Sequence, residues 1–294
     1  MTDPVIVLSG GGNLGAVQAG MLQTLLHAGV RPRALLGSSV GALNAAHLAV
    51  DPTAERADGL VDAWRAVRGA DVFAGDGRLG AALLAVGRRP HLHDARGLRR
   101  LIGRWFEPAD LADTAVPLHV ATTELASGIV RWWRAGDPTP VLLATAAIPV
   151  LFPPVELDGT LHVDGALVEP IGLRRAAALG TGPVIAIDTG ATALPFRGAD
   201  RPVASLVATI RAGRMARLAE DRAAIDGDRV HWLTADCPDL GYRDFTRSEE
   251  LIALGRDAAE RMLADQPGLL PQRSTCTIRS TGGRSAGLKS VPLV

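Results

Sequence analysis

Residues 37–45 read Gly37-Ser38-Ser39-Val40-Gly41-Ala42-Leu43-Asn44-Ala45, a serine with a glycine two places to either side. G-x-S-x-G is the pattern of a serine held on a sharp strand-to-helix turn, with its hydroxyl standing exposed. The flanks suit that turn. Ala34 to Leu36 end a short apolar run, and Val40 to Val50 are rich in Ala and Leu without Pro, which predicts a helix. Gly37 and Gly41 stand where a side chain would crowd the turn. A five-residue pattern also arises by chance, so its meaning depends on its neighbours.

Working outward toward the N-terminus, Pro4 to Leu8 is a short β-branched run that predicts a buried strand. It leads into Ser9-Gly10-Gly11-Gly12-Asn13-Leu14-Gly15, and residues 16–27 then predict a helix that Gly29 stops. The first fifty residues are therefore strand, glycine loop, helix, strand, serine turn, helix. A helix joining two consecutive strands implies an α/β fold with a parallel sheet.

The glycine loop admits two readings. Gly10, Gly12 and Gly15 fit G-x-G-x-x-G, the dinucleotide-binding pattern, between a strand and a helix. That pattern also expects an acidic residue at the end of the second strand, yet no Asp or Glu lies between Asp3 and Asp51. The other reading uses the same glycines to aim backbone N–H groups into a concavity, where they would hold the oxyanion of an ester under attack. Loop and serine turn lie on neighbouring parallel strands and would open onto the same sheet edge.

Working toward the C-terminus, Thr53 to Val67 predicts a surface helix, and Asp94 is placed to cap another that runs to Phe106 with Arg96, Arg99, Arg100 and Arg104 on it. Leu79 to Val86 is a short apolar stretch ended by Gly87-Arg88-Arg89-Pro90. This basic, partly apolar excursion reads as solvated helices packed on the sheet, with a lid or lipid-contacting surface as the alternative. Leu118 to Thr122 and Ile129 to Arg134 predict a hairpin, with Trp132 and Trp133 on opposite faces, so that at most one is readily core. Thr139 to Ala147 predicts a helix. Then come AAIPVLFPPV (146–155), the turn Asp158-Gly159, a strand over Leu161 to Val163, and Asp164-Gly165-Ala166. Further strands are expected at 184–187 and 230–233, and helices at 203–225 and 247–264. One domain over residues 1–265 is expected, with 266–294, which lacks periodicity, as a flexible tail.

Composition narrows the class. The 294 residues carry 31 basic and 31 acidic side chains, a balance that argues against a nucleic-acid binder. Lys289 is the only lysine, a bias of base composition rather than of chemistry. Cys237 and Cys276 match no metal or redox spacing, which favours a reduced cytoplasmic protein. The N-terminus has no signal-peptide pattern, and no run of about 18 apolar residues predicts a membrane span.

Three segments now stand in order: SGGGNLGAVQAGML (9–22), GSSVGALNA (37–45), and AAIPVLFPPV followed by VDGALVEP (163–170). Together they resemble the bacterial patatin-like phospholipase family, with its glycine-rich oxyanion loop, G-x-S-x-G serine and downstream Asp-Gly-Ala. The resemblance implies a three-layer α/β/α fold around a mostly parallel sheet, and a Ser–Asp dyad. Carried over by position, Ser39 is the nucleophile and Asp164 the general base. Gly10, Gly11, Gly12, Asn13, Leu14 and Gly15 form the oxyanion loop; Gly37, Ser38, Val40 and Gly41 form the elbow; Gly165 and Ala166 complete the Asp motif. The implied reaction is hydrolysis of lipid carboxylic esters, with no metal or organic cofactor and with peripheral contact to a membrane surface. Many family members carry Arg or Lys where this chain has Leu14, which separates phospholipid preference from acyl hydrolysis itself.

Two rivals remain at this level. A Ser–His–Asp esterase would use His231, which follows Ser39 and Asp164 in the right chain order. Yet Ser39 comes after only two strands, earlier than that fold places its serine. A nucleotide-binding module would use the Gly10–Gly15 loop.

Overall fold

A computed structural model of the chain describes residues 3–73, 84, 86–88, 91–190, 202–225, 227–241 and 243–270, with 202–208 as backbone alone. The strands are β1 (Val5–Leu8), β2 (Ala34–Ser38), β3 (Leu118–Glu124), β4 (Val130–Trp133), β5 (Val155–Leu157), β6 (Thr160–Asp164), β7 (Val184–Asp188) and β8 (Val230–Thr234). The helices are α1 (Gly15–His27), α2 (Val40–Ala49), α3 (Ala54–Ala66), α4 (Gly69–Val72), α5 (Arg96–Trp105), α6 (Pro138–Thr145), α7 (Leu173–Ala178), α8 (Pro202–Ala224) and α9 (Ser248–Asp265).

One sheet organises them in the order β5-β6-β3-β2-β1-β7-β8, with β4 on the other side of β3. The run β3-β2-β1-β7-β8 is parallel, and β4, β5 and β6 are antiparallel additions near one edge. Central strands are apolar on both faces, as buried parallel strands must be. Ile6, Leu8 and Leu35 pack into one core, and Val5, Val7, Ala34 and Leu36 into a second on the opposite face. Helices α1, α2, α3, α5, α6 and α9 contribute to the first core, whereas α7 and α8 contribute to the second. The result is the expected three-layer α/β/α arrangement. Helices α1 and α9 approach so closely that a β-carbon on Gly20 would stand 2.1 Å from the Ile252 carbonyl, and one on Gly255 2.1 Å from that of Val17.

The strand register brings the two ends of the future site together. Ser38, the last residue of β2, pairs with Ala121 of β3. Asp164, the last residue of β6, pairs with Thr122, the next residue of β3. Since β4 occupies the other edge of β3 across both positions, β6 takes up the edge that β2 leaves. The chain turns away at Ser39, and the strand arriving from the opposite direction ends on Asp164 beside it.

Local expectations are met with small shifts. Thr53 accepts from the Arg56 N–H and caps α3, and Asp137 accepts from the Thr139 N–H ahead of α6, whose first residue is Pro138. Asp94 accepts from the Arg96 N–H at the start of α5. The apolar side chains of α5, Leu98, Leu101, Ile102 and Trp105, are buried, while Arg96, Arg99, Arg100 and Arg104 are exposed. The apolar side of this helix therefore faces the protein interior rather than solvent. Trp132 and Trp133 are both half-buried, one against each core, so each face of β4 has packing to offer. At the far end, Leu269 and Leu270 pack on the first core, so the chain stays attached past Gln266. Residues 79–83, 89–90 and 271–294 lie outside the described residues, as does Cys276. Among the described residues no helix is long and apolar enough to cross a membrane.

Candidate active site

Ser39 sits between β2 and α2 with φ 54° and ψ −133°, a conformation that few non-glycine residues adopt. Such a residue costs about 1–3 kcal/mol, and its surroundings must hold it there. Two contacts do so. The Ser39 N–H donates to Thr145 Oγ1 at 3.0 Å, and Thr145 in turn donates to the Ala121 carbonyl at 2.6 Å. Gly41 lets α2 lie against β1: a β-carbon there would stand 2.5 Å from the Leu8 and Ser9 carbonyls. Gly37 passes similarly close to Gly41 and Ala42, Ser38 is buried, and Val40 begins α2.

Ser39 Oγ donates to Asp164 Oδ2 at 2.6 Å. The other carboxylate oxygen, Oδ1, accepts from the Ala166 N–H at 2.8 Å, so the Gly165-Ala166 turn fixes the carboxylate plane. Both residues are almost fully buried, Ser39 at 4 % and Asp164 at 3 % exposure. Burial disfavours the charged carboxylate and pushes its pKa up from 3.8 to about 6. The Ser39 hydroxyl, the Ala166 N–H and the Arg214 guanidinium all oppose that rise. The carboxylate is still ionised near neutral pH, yet it is a stronger proton acceptor than a free Asp. Gly165 is required beneath it, since a β-carbon there would stand 2.2 Å from the Ala121 carbonyl.

The glycine loop faces the same spot. A β-carbon on Gly10 would lie 3.1 Å from Ser39 Cβ and 2.7 Å from Ala166 Cβ, which puts the loop in direct contact with both motifs. The Gly10 carbonyl accepts from Thr189 Oγ1 at 2.9 Å, and the single proton of Ser9 Oγ has two acceptors within reach at 3.2 Å, this carbonyl and Asp188 Oδ1. These bonds turn the Gly10 carbonyl toward the end of β7. The N–H groups of Gly11 and Gly12 have no protein acceptor among the described residues. Those of Leu14 and Gly15 do, on Gly11 and on the Gly12 and Asn13 carbonyls, so only the early part of the loop has donors free for an anion. The loop's roles divide further than its sequence suggests. The Asn13 side chain donates to the Gly241 and Asp244 carbonyls at 3.1 and 2.7 Å. Leu14 is core, and the Gly15 carbonyl accepts from Asn44 Nδ2. Gln18 donates to the Ser9 carbonyl at 2.9 Å, which ties α1 to the loop from below.

A narrow cavity of about 60 Å³ opens beside Ser39. Leu43, Trp64, Phe73, Leu101, Trp105 and Phe152 are among its walls, which are almost wholly apolar. Ser39, Val40, Gly12 and Asn13 also line it.

His231 has no part in this arrangement. It pairs with Ile185 of β7, in the row of the sheet that holds Ile6 and Leu35, three strands from β2. That is about 14 Å across the sheet and several residues short of Ser39. No histidine hydrogen-bonds to Ser39 or Asp164 among the described residues, which removes the histidine rival. Nor does the end of β2 offer a ribose contact, since Ser38 there donates to the Pro170 carbonyl. Sequence reasoning missed Thr145, Asp188, Thr189 and Arg214. Asp188-Thr189-Gly190 had a signal, being polar residues at the carboxyl end of a fully buried parallel strand, where sites in such sheets lie. Thr145 and Arg214 had none.

Comparison with known proteins bears on the same segments. The family model described as patatin-like phospholipase matches residues 6–177, which include every element of the site except Thr189, Asp188 and Arg214. A Caenorhabditis elegans protein named for a patatin-like phospholipase domain is 32 % identical over 192 residues, 63 % of this chain and 16 % of its own length. An uncharacterised NTE family protein of Mycobacterium bovis is 28 % identical over 199 residues, 66 % of this chain and 51 % of its own. A Neurospora crassa lysophospholipase is 24 % identical over 193 residues, 63 % of this chain and 12 % of its own. The chain thus spans about half or less of the length of these relatives. Among solved structures, VipD from Legionella pneumophila aligns with 90 % of this chain and 67 % of its own at a TM-score of 0.48 and 16 % identity. A family match that runs from the first strand through α7, over a sheet that delivers the glycine loop, the serine turn and the Asp motif to one point, places this chain in the patatin-like phospholipase family.

Proposed function

We propose that this chain is a serine acyl hydrolase that cleaves carboxylic ester bonds of lipids, with Ser39 as nucleophile and Asp164 as general base. The observation that carries the reading is the 2.6 Å hydrogen bond from Ser39 Oγ to the buried carboxylate of Asp164, at the end of an apolar cavity. Ser39 Oγ attacks the ester carbonyl carbon, and its proton passes to Asp164 Oδ2. The negative charge that forms on the carbonyl oxygen meets the N–H groups of Gly11 and Gly12, preorganised donors of the kind whose removal costs about 2.7–4 kcal/mol. The C–O bond to the alcohol then breaks, and Asp164 returns the proton to the leaving oxygen. Water attacks the acyl-serine with Asp164 again accepting a proton, and Ser39 regains it as the fatty acid departs.

The cavity supports a lipid acyl group as the part of the substrate held. Each methylene buried there is worth about 0.8 kcal/mol, so chain length translates directly into affinity. Peripheral contact with a lipid surface belongs to the same proposal. Helix α5 lines the cavity with Leu98, Leu101 and Trp105 and turns four arginines outward, where anionic headgroups would meet them.

A lipid-class hydrolysis panel with Ser39→Ala and Asp164→Ala as controls tests the reading, alongside labelling by a fluorophosphonate. The expected result is ester hydrolysis and labelling by the unmodified protein, both abolished in Ser39→Ala, with hydrolysis abolished in Asp164→Ala. Full turnover in Asp164→Ala, or saturable NAD or ATP binding without labelling of Ser39, would overturn it.

A further inference from the structure

Helix α8 crosses the second face of the sheet and packs against the Gly165–Leu167 turn that follows Asp164. Its inward side is charged at the spacing of a helix face: Arg214, Arg217 and Asp221. Asp221, fully buried, is paired with Arg174 of α7 and Arg217, and Glu169 lies close to this group. Arg214 stands apart from that cluster. Its Nη2 comes within 3.7 Å of the place where a β-carbon on Gly10 would stand, the same point that touches Ser39 and Ala166. Its Nε is buried without a hydrogen-bond partner.

Stability does not explain this placement. Burying a guanidinium is unfavourable unless its donors are satisfied, and here burial lowers its proton affinity. The charged groups around it are Asp164 at the end of β6 and Asp188 at the end of β7, which favour it, and Arg211 on its own helix, which does not. Asp188 is already engaged by Ser9 and by the Gly190 N–H. The loop contributes no cation of its own, since Leu14 is core.

We propose that Arg214, reaching from α8 to the junction of Gly10, Ser39 and Ala166, is a positioning residue that keeps Asp164 ionised and so sets the lowest pH at which Ser39 is activated. The proposal rests on the Ser39–Asp164 reading. Burial alone drives Asp164 toward its protonated form, which cannot accept the serine proton; the hydrogen bonds from Ser39 and the Ala166 N–H oppose that drift, and Arg214 adds to them from the second face of the sheet. During attack the negative charge leaves Asp164 and appears on the ester oxygen beside the same glycine loop. A cation against Gly10 stays near the charge in both states.

The test is the pH profile of kcat/KM for p-nitrophenyl butyrate, a neutral soluble ester, with thermal melts on each protein. The proteins are the unmodified chain, Arg214→Gln, Arg214→Met and Arg214→Lys. The acid limb reports ionisation of the free enzyme's base. With the cation gone, Asp164 holds its proton to higher pH, so the limb moves alkaline in the Gln and Met variants. A move of one pH unit is about a tenfold loss on the acid side of the limb, a loss that shrinks as pH rises. Lys restores the limb. A limb that stays in place in folded Gln and Met variants overturns the proposal. So does loss of folding in both, which would assign Arg214 to the fold. An unmodified protein inert toward every ester would sink the Ser39–Asp164 reading instead, a distinguishable result.

Discussion

The amide N–H of Ser39 donates to the side chain of Thr145, and the same hydroxyl donates to the carbonyl of Ala121. One threonine thereby ties the strained serine turn to the strand beside it. The serine's own amide is spent in that bond and is not free to donate to a ligand.

Thr145→Val keeps the shape of the side chain and removes both bonds. A buried N–H left without an acceptor costs about 1–3 kcal/mol, and the turn loses what holds it at positive φ. The melting temperature is expected to fall by several degrees and kcat for a soluble ester by about tenfold or more, with Thr145→Ser restoring both. Melting curves and steady-state kinetics on the two variants check this, and unchanged kcat in Thr145→Val would show that the turn holds itself.

Asp164 carries a stability cost that its proposed role requires. Its carboxyl takes up a proton near pH 6 in the fold and near 4 when unfolded. Its contribution to stability is therefore fully present below about pH 4 and is lost as pH rises through 6. Asp164→Asn does not titrate and retains an oxygen for the Ala166 N–H. At pH 8 the Asn variant should exceed the unmodified protein by up to about 3 kcal/mol, and the gap should close by pH 4. Chemical denaturation at both pH values measures it; a pH-independent gap would mean that the carboxylate is not the strained group.

Chain length offers a third check. Ala146, at the end of α6, lines the cavity beside Ile148 and Phe152. Ala146→Leu adds three carbons to a space of about 60 Å³. The ratio of kcat/KM for p-nitrophenyl octanoate to that for the acetate is expected to drop by about 4- to 15-fold, from lost burial of one or two methylenes. If both esters decline together, the acyl chain lies elsewhere.

The exposed arginines of α5 make a fourth. Arg99 and Arg100 have no ion-pair partner among the described residues, whereas Arg96 pairs with Asp94 and Arg104 with Asp71. Reversing both charges, Arg99→Glu with Arg100→Glu, should weaken co-sedimentation with phosphatidylserine-containing vesicles. At about 1 kcal/mol per basic residue near an anionic surface, the loss should reach tenfold or more at low salt. Neutral phosphatidylcholine vesicles serve as the control, and equal binding of both proteins to anionic vesicles would exclude α5 as the contact.

What could be read from the chain and what could not follow from how each group is fixed. Strands β1, β2 and β7 declared themselves because they are apolar on both faces, and the loop and the serine because each follows a strand end; Asp164 stood out only through the family resemblance. The meeting of Ser39 and Asp164 depends on β6 taking the edge of β3 that β2 vacates, a matter of register across more than a hundred residues. The His231 alternative had the right chain order and failed on strand order, which places β8 three strands from β2. Asn13 looked like part of the anion cradle because it sits among glycines. Its side chain is taken instead by carbonyls from residues 241 and 244, which no local pattern foretells. Arg214 is one arginine among several on a long helix, and only the packing of that helix singles it out.

The anchoring of Asn13 has a consequence for how this protein is made. Both proposed catalytic residues are synthesised by residue 164, long before the segment that holds the glycine loop. Asn13 finds its acceptors only when residues 241–244 have been added, and α1 finds its close partner only when α9 follows. A nascent chain can thus carry both proposed catalytic residues before the glycine loop has its anchor. On the proposed reading, hydrolytic competence would arrive only once α9 has been made, late in synthesis.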